Sequence, residues 1–206
     1  MKKLTKKSLN ELAKEMPIID EINQHYFIGG GNIYQLNPLD GTLSIIGSDN
    51  NSFDTLRSMN NNVASQTFSS GILDGMTQKG AGVEISSAEE AKRLFEFCAD
   101  NSAVEFGVTI NIGDGNSVRR YFVYTDNSFS GINGRAGTSG TNILYHSHGG
   151  ANGNPSSDDY SGTVGYEDGT VFGVYSNGNY TYFWGDGNLA SGSSSGYVPG
   201  FSSGSY

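Results

Sequence analysis

The sequence predicts an α/β (α+β) domain with a central mixed or antiparallel sheet and one main helix. Residues 86–102 have the apolar spacing of an amphipathic helix, and an alternating strand pattern follows at once. Near the C-terminus, Asn177-Gly178 separates two aromatic-rich segments, which is typical of a β-hairpin. A length of 206 residues suits one such domain with extensions.

The predicted helix has the sequence SSAEEAKRLFEFCADNS. Ser86 or Ser87 can serve as its N-cap, acidic residues occupy its first turn, and Asn101 marks its end. The residues predicted to face the core are Ala91, Leu94, Phe95 and Cys98. Cys98 is therefore expected to be a core residue and not a nucleophile.

The strand after this helix reads AVEFGVTINI, and its residues alternate between two faces. Val104 and Phe106 fall on one face and Glu105 on the other, so a carboxylate lies within a strand. Further strands are predicted in RRYFVYT, in TNILYHSH, and in the hairpin segments TVFGVYS and NYTYFWG.

Composition excludes several classes of partner. The formal net charge is -9, which argues against binding to nucleic acid or to an anionic membrane surface. No apolar run is long enough for a membrane span, so no membrane insertion is expected. A single cysteine excludes an internal disulfide and a cysteine-rich zinc module.

Two histidines close together suggest a metal site. In an extended segment His146 and His148 point to the same side, so both can reach one ion. A catalytic zinc ion needs a third protein ligand, and with cysteine unavailable that ligand is expected to be a carboxylate. Asp158 and Asp159, which follow a glycine-rich loop, are the candidates.

The spacing of these residues resembles a known family. His146-x-His148, seven residues, Ser156, two residues and Asp159 match the H-x-H-x7-S-x-x-D pattern of the JAMM (MPN-type) zinc metallopeptidases. The resemblance favours Asp159 over Asp158. That family also has a glutamate on a strand directly after a helix, which Glu105 fits better than Glu84 does.

The resemblance covers residues 86–184 and implies an MPN/JAB-like (cytidine-deaminase-like) fold with a C-terminal β-hairpin. It implies one Zn²⁺ ion held by His146, His148 and Asp159, with Glu105 as general base and then acid. Ser156 would donate a hydrogen bond to the developing oxyanion. The implied reaction is hydrolysis of a peptide or isopeptide bond in a protein or peptide substrate.

The first thirty residues differ from the rest of the chain. A short basic amphipathic helix, which contains Ser8 as N-cap, is followed by an apolar patch and by Gly29-Gly30. This order is similar to the double-glycine leaders that ABC exporters with a leader peptidase remove, and it implies cleavage after Gly30 or one residue later. His25 would be removed with the leader. The alternative is an ordinary N-terminal helix with a glycine hinge.

The expected organisation is an export leader (1–30), an irregular extension with one or two short strands (31–84), a JAMM-like domain (85–189) and a flexible Gly/Ser tail (190–206). The leader implies a bacterial protein that acts outside the producing cell, as an effector or toxin, with an immunity protein as a candidate partner. Two alternatives stay open, namely an inactive MPN-like binding module and an exported Gly/Asn-rich β-protein that acts as an adhesin or antibacterial binder.

Overall fold

The computed structural model describes residues 25–29, 32–37, 39–48, 65–68, 71–76, 82–112, 119–126, 128, 131–132, 141–148, 153–161, 170–184, 189–193 and 195–202. These residues form two sheets, two α-helices and one 3₁₀ helix. No helix in these segments is long and apolar enough to cross a membrane.

The elements are numbered along the chain. The first sheet contains β1 (His25–Gly29), β2 (Asn32–Leu36), β3 (Leu43–Ser48) and β4 (Ser65–Phe68). The 3₁₀ helix Ile72–Met76 follows. The second sheet contains β5 (Gly82–Ile85), β6 (Phe106–Ile112), β7 (Arg119–Thr125), β8 (Thr141–Ser147), β9 (Val171–Ser176), β10 (Asn179–Trp184) and β11 (Leu189–Ser193). The helices are α1 (Ala88–Asp100) and α2 (Ser157–Ser161).

The second sheet is the centre of the domain, with strand order β11-β10-β9-β8-β6-β7-β5. Strands β8 and β9 run parallel, and every other neighbouring pair in this sheet is antiparallel. The sheet is thus mixed, as predicted. Between β9 and β10, Asn177 and Gly178 have φ angles of 47° and 78°, the left-handed conformations of a tight hairpin turn.

Helix α1 packs across one face of this sheet. Ser87, not Ser86, is its N-cap and accepts a hydrogen bond from the backbone N of Glu90, and Asn101 is its C-cap. The ring of Phe95 contacts Tyr175 of β9 at a centroid distance of 5.5 Å. Cys98 is completely buried and burial raises the pKa of its thiol, in agreement with a core role.

The described part of residues 31–84 contains more regular structure than the irregular extension with one or two short strands that the sequence predicts. Strands β2 and β3 pair in antiparallel fashion, and their buried side chains belong to the same core as α1. Tyr34, Leu36 and Leu43 are each at most 1% exposed. Gly41, at a φ of 69°, lies so close to Val104 that a Cβ there would approach Val104 Cγ2 to 2.7 Å.

Strand β1 lies between β2 and β4, parallel to β4 and antiparallel to β2. Gly29 is the last residue of β1 and pairs with Asn32. Residues 1–24 and 30–31 lie outside the described residues, so the leader helix and the cleavage position stay predictions.

The prediction of a flexible tail is wrong for residues 190–193 and 195–202. Strand β11 extends the main sheet beside β10, and Val198 and Phe201 are buried in the core. The Phe201 ring stacks on Tyr121 and on Tyr145, at 5.9 Å in both cases. The hydroxyl groups of the same two tyrosines donate hydrogen bonds to backbone carbonyls of this segment.

We therefore expect Phe201→Ala to lower the free energy of unfolding by about 3 kcal/mol, the usual cost of removing a buried phenylalanine. Tyr197→Ala, at a neighbouring tyrosine that is 46% exposed, should change it by less than about 0.5 kcal/mol. Urea unfolding measures both. A flexible tail would instead leave both variants close to wild type.

Candidate metal centre

The two histidines lie at the end of β8, on the face of the sheet away from α1. His146 is opposite Gly107 of β6 and Val174 of β9. His148 directly follows the strand, and its backbone N donates a hydrogen bond to the carbonyl of Tyr175. Because side chains alternate along a strand, the two imidazoles share one face while Ser147 points toward the core.

Ser147, the last residue of β8, links this strand to β6. Its side chain is 1% exposed, and its Oγ accepts a hydrogen bond of 2.9 Å from the backbone N of Phe106. The antiparallel register pairs Gly107 with His146 at this end of the two strands. Glu105, predicted within the strand, instead lies immediately before β6, and it is close enough to His146 and His148 for their charges to lower its carboxyl pKa. The hydrogen bond of Ser147 holds the two strands together at this position.

Removal of this hydroxyl leaves the backbone N–H of Phe106 without its acceptor. We expect Ser147→Ala to lower the free energy of unfolding by about 1–3 kcal/mol. The matched control is Ser44→Ala, at an exposed position of β3, where the change should be below about 0.5 kcal/mol. Equal stability of the two variants in urea would show that the Ser147 contact contributes nothing.

The third side chain comes from α2. Asp159 Oδ1 lies 3.0 Å from His146 Nε2, and its Oδ2 lies 3.3 Å from His148 Nε2. The two imidazole Nε2 atoms are 3.1 Å apart. Asp158 is exposed and does not take part in this cluster. The structure thus brings together the two histidines and the aspartate that the spacing favoured.

Ser156 is the N-cap of α2. Its Oγ accepts a hydrogen bond of 3.2 Å from the backbone N of Asp159, and its own backbone N donates to Asp159 Oδ2. This reciprocal arrangement fixes the rotamer of Asp159 and directs its carboxylate toward the histidines. The Ser156 oxygen acts as an acceptor here, so its hydroxyl hydrogen can still be donated.

The geometry fits a tetrahedral metal ion. Ligands about 2.1 Å from zinc at tetrahedral angles are about 3.4 Å from one another. The two Nε2 atoms are 3.1 Å apart, and Asp159 approaches His146 Nε2 to 3.0 Å with Oδ1 and His148 Nε2 to 3.3 Å with Oδ2. Two imidazole nitrogens and one carboxylate oxygen form a donor set that zinc accepts, and they leave a fourth position for water.

The charges at the site differ between the two carboxylates. Burial raises the pKa of Asp159, but hydrogen bonds with His146, His148 and the Ser156 backbone outweigh it, and the pKa is held well below its usual range. Glu105 is 7% exposed, and burial raises its pKa, an effect that the nearby imidazoles partly offset. Glu105 is therefore not the solvated carboxylate of an ordinary exposed strand.

Two other residues of the site face were not predicted. Gly107 leaves room for the ring of Tyr124 on the neighbouring strand, because a Cβ there would lie 2.7 Å from Tyr124 Cζ. Tyr124 is 1% exposed and thus covers β6 beside Glu105. A glycine inside an alternating strand is the sequence signal that could have indicated such a close approach.

The remaining candidates lie elsewhere. Glu84 is on β5 at the edge of the sheet, where its carboxylate is 3.8 Å from Arg120. Cys98 is buried within α1. His25 and Gly29 belong to β1, and Gly30 lies outside the described residues. Of the two glutamates, Glu105 is therefore the one that lies near the histidines.

Comparison with known families supports a JAB/MPN-like domain in this part of the chain. A family model described as JAB-like toxin 1 matches residues 83–182, which include β6 to β9, both helices and all five predicted site residues. The predicted resemblance is confirmed by this match. No curated protein and no solved structure shows a significant match to the chain.

Proposed function

We propose that the protein is a zinc-dependent peptidase or isopeptidase that acts as an exported bacterial toxin. The observation that carries this proposal is the convergence of His146, His148 and Asp159, with separations of 3.0–3.3 Å, next to the buried Glu105. A binding module has no need of a buried glutamate beside a metal-binding triad, whereas amide hydrolysis needs a base there.

The three ligands would hold one Zn²⁺ ion. When bound, zinc lowers the pKa of a coordinated water toward about 7 and polarises the carbonyl of the scissile bond. The carboxylate of Asp159 offsets part of the charge of the ion, and the Ser156 cap keeps that carboxylate in position. Ser147 fixes the backbone between the two histidines.

Glu105 is placed to carry the proton of the reaction. It takes a proton from the attacking water and later delivers it to the leaving amine, so the amide bond is broken without release of an unstable amide anion. Its burial raises the affinity of the carboxylate for a proton, which favours the first transfer, the uptake of a proton from the attacking water. The Ser156 hydroxyl donates a hydrogen bond to the oxygen of the attacked carbonyl as negative charge develops there.

The biological setting comes from the description of the matched family as a toxin. An export leader over residues 1–30, cleaved near Gly29 and Gly30 by an ABC exporter with a leader peptidase, would carry such a toxin out of the producing cell. An immunity protein that blocks the site would protect that cell. The substrate is a protein or peptide of a target cell.

The first test is the metal itself. We expect purified protein to bind one Zn²⁺ per chain, as measured by elemental analysis and chelator competition. Changes around metal ligands already cost about 10- to 100-fold in affinity, so the loss of a ligand in His146→Ala should cost more than 100-fold. His25→Ala is the matched control and should bind as wild type does. Failure of the wild type to take up zinc would remove the basis of the proposal.

The second test is the base. Glu105→Gln should retain zinc but lose about 100-fold or more of the hydrolytic rate, because the amide cannot accept a proton. N-terminal peptide profiling of a target proteome detects new termini, and a lysine-remnant readout detects isopeptide cleavage. Glu84→Gln, at the exposed edge strand, is the matched control. Identical products from wild type and Glu105→Gln would contradict the assigned role.

A further inference from the structure

Helix α2 carries one of the three metal-binding residues and is very short. It spans only five residues, and none of them is buried. Helices of this length are not stable by themselves in water. The Ser156 cap closes the first turn of the helix, yet it lies within the same segment and does not attach that segment to the sheet.

Among the described residues, contacts to the sheet are seen for two side chains of α2. One is Asp159, whose sheet contacts are the two histidines that would share the metal ion with it. The other is Tyr160, whose ring lies 4.7 Å from the ring of Phe183 on β10, tilted by 49°. This is a favourable geometry for an aromatic pair.

The sheet side of this contact is well anchored. Phe183 is 2% exposed and stacks on Phe172 of β9 at 5.8 Å. In the register of the sheet Phe172 pairs with Leu144, which lies two residues before His146 and on the same face. The aromatic stack therefore begins beside the metal-binding strand and ends at the residue that follows Asp159.

We propose that Tyr160 is a positioning residue for the metal centre, because its contact with Phe183 keeps α2 docked before the ion binds. This inference rests on the proposed function. With α2 docked, all three ligands lie together before the metal binds. With α2 detached, only the two histidines lie together, and the helix must become ordered as the metal binds. The cost of that ordering is subtracted from the affinity, so loss of the ring pair should weaken metal binding.

The test is the zinc affinity of the full chain, measured by competition with a chromophoric chelator. Aromatic pairs of this kind correspond to about 3- to 10-fold in an equilibrium constant, so Tyr160→Ala should bind zinc about 3- to 10-fold more weakly. Tyr160→Phe, which keeps the ring, should stay within about 2-fold of wild type. Tyr197→Ala removes an exposed tyrosine outside the metal site and should have no effect.

A double-mutant comparison shows whether the effect passes through Phe183. In a Phe183→Leu background, Tyr160→Ala should cause no further loss of affinity, since its partner ring is already absent. Urea unfolding of the zinc-free proteins checks that each variant is folded. If Tyr160→Ala does not fold, Tyr160→Leu replaces it, and the same weakening is expected.

The outcomes separate the two proposals. Wild-type zinc affinity in the folded Tyr160 variant, with zinc bound normally by the wild type, overturns the positioning role and leaves the proposed function intact. Absence of zinc binding by the wild type overturns the proposed function and this inference with it. Equal weakening by Tyr160→Phe would assign the effect to the hydroxyl and also contradict the inference.

Discussion

The antiparallel pairing of β6 with β8 is the constraint on which the site depends. It sets Gly107 opposite His146 and thereby brings Glu105, the residue before β6, close to both histidines. The hydrogen bond from the backbone of Phe106 to Ser147 secures the pairing at the last position before the strands separate. A slip of one residue would turn either the histidines or the glutamate into the core.

The rest of the fold supports this pairing from the other face of the sheet. Helix α1 covers β6 and β9 there, with Phe95 against Tyr175. The C-terminal segment covers Tyr121 and Tyr145 through Phe201, and it satisfies their hydroxyl groups with backbone carbonyls. Packing on this face stabilises the domain. That stability offsets the cost of burying polar and charged side chains at the metal site on the opposite face.

Much of this architecture could be predicted from the sequence, because the relevant signals are local. The α1 stripe, the Asn177-Gly178 turn and the alternation along β6 each depend on residues close together in the chain. The order of histidines, serine and aspartate indicated Asp159 and not Asp158. That preference needed a family resemblance, since the two carboxylates are adjacent in the chain, ten and eleven residues after His148.

The errors have a common physical cause. Strands β2 and β3 are short, and their buried residues contact Val104 and α1 far along the chain, so no local period indicated them. In the C-terminal segment Val198, Phe201 and backbone carbonyls provide the packing, which its Gly/Ser composition conceals. The burial of Glu105 and the contact of Tyr160 with Phe183 likewise depend on packing between segments that are far apart in the chain, which spacing alone does not give.

The metal centre is tested most directly by X-ray absorption spectroscopy at the zinc edge on the purified protein. The structure predicts two imidazole nitrogens and a carboxylate oxygen, with one water, at about 2.0–2.2 Å in a four-coordinate site. The imidazole signature should fall to one ring in His148→Ala. A sulfur scatterer, a six-coordinate all-oxygen shell or a spectrum unchanged by that substitution would contradict a metal centre built from His146, His148 and Asp159.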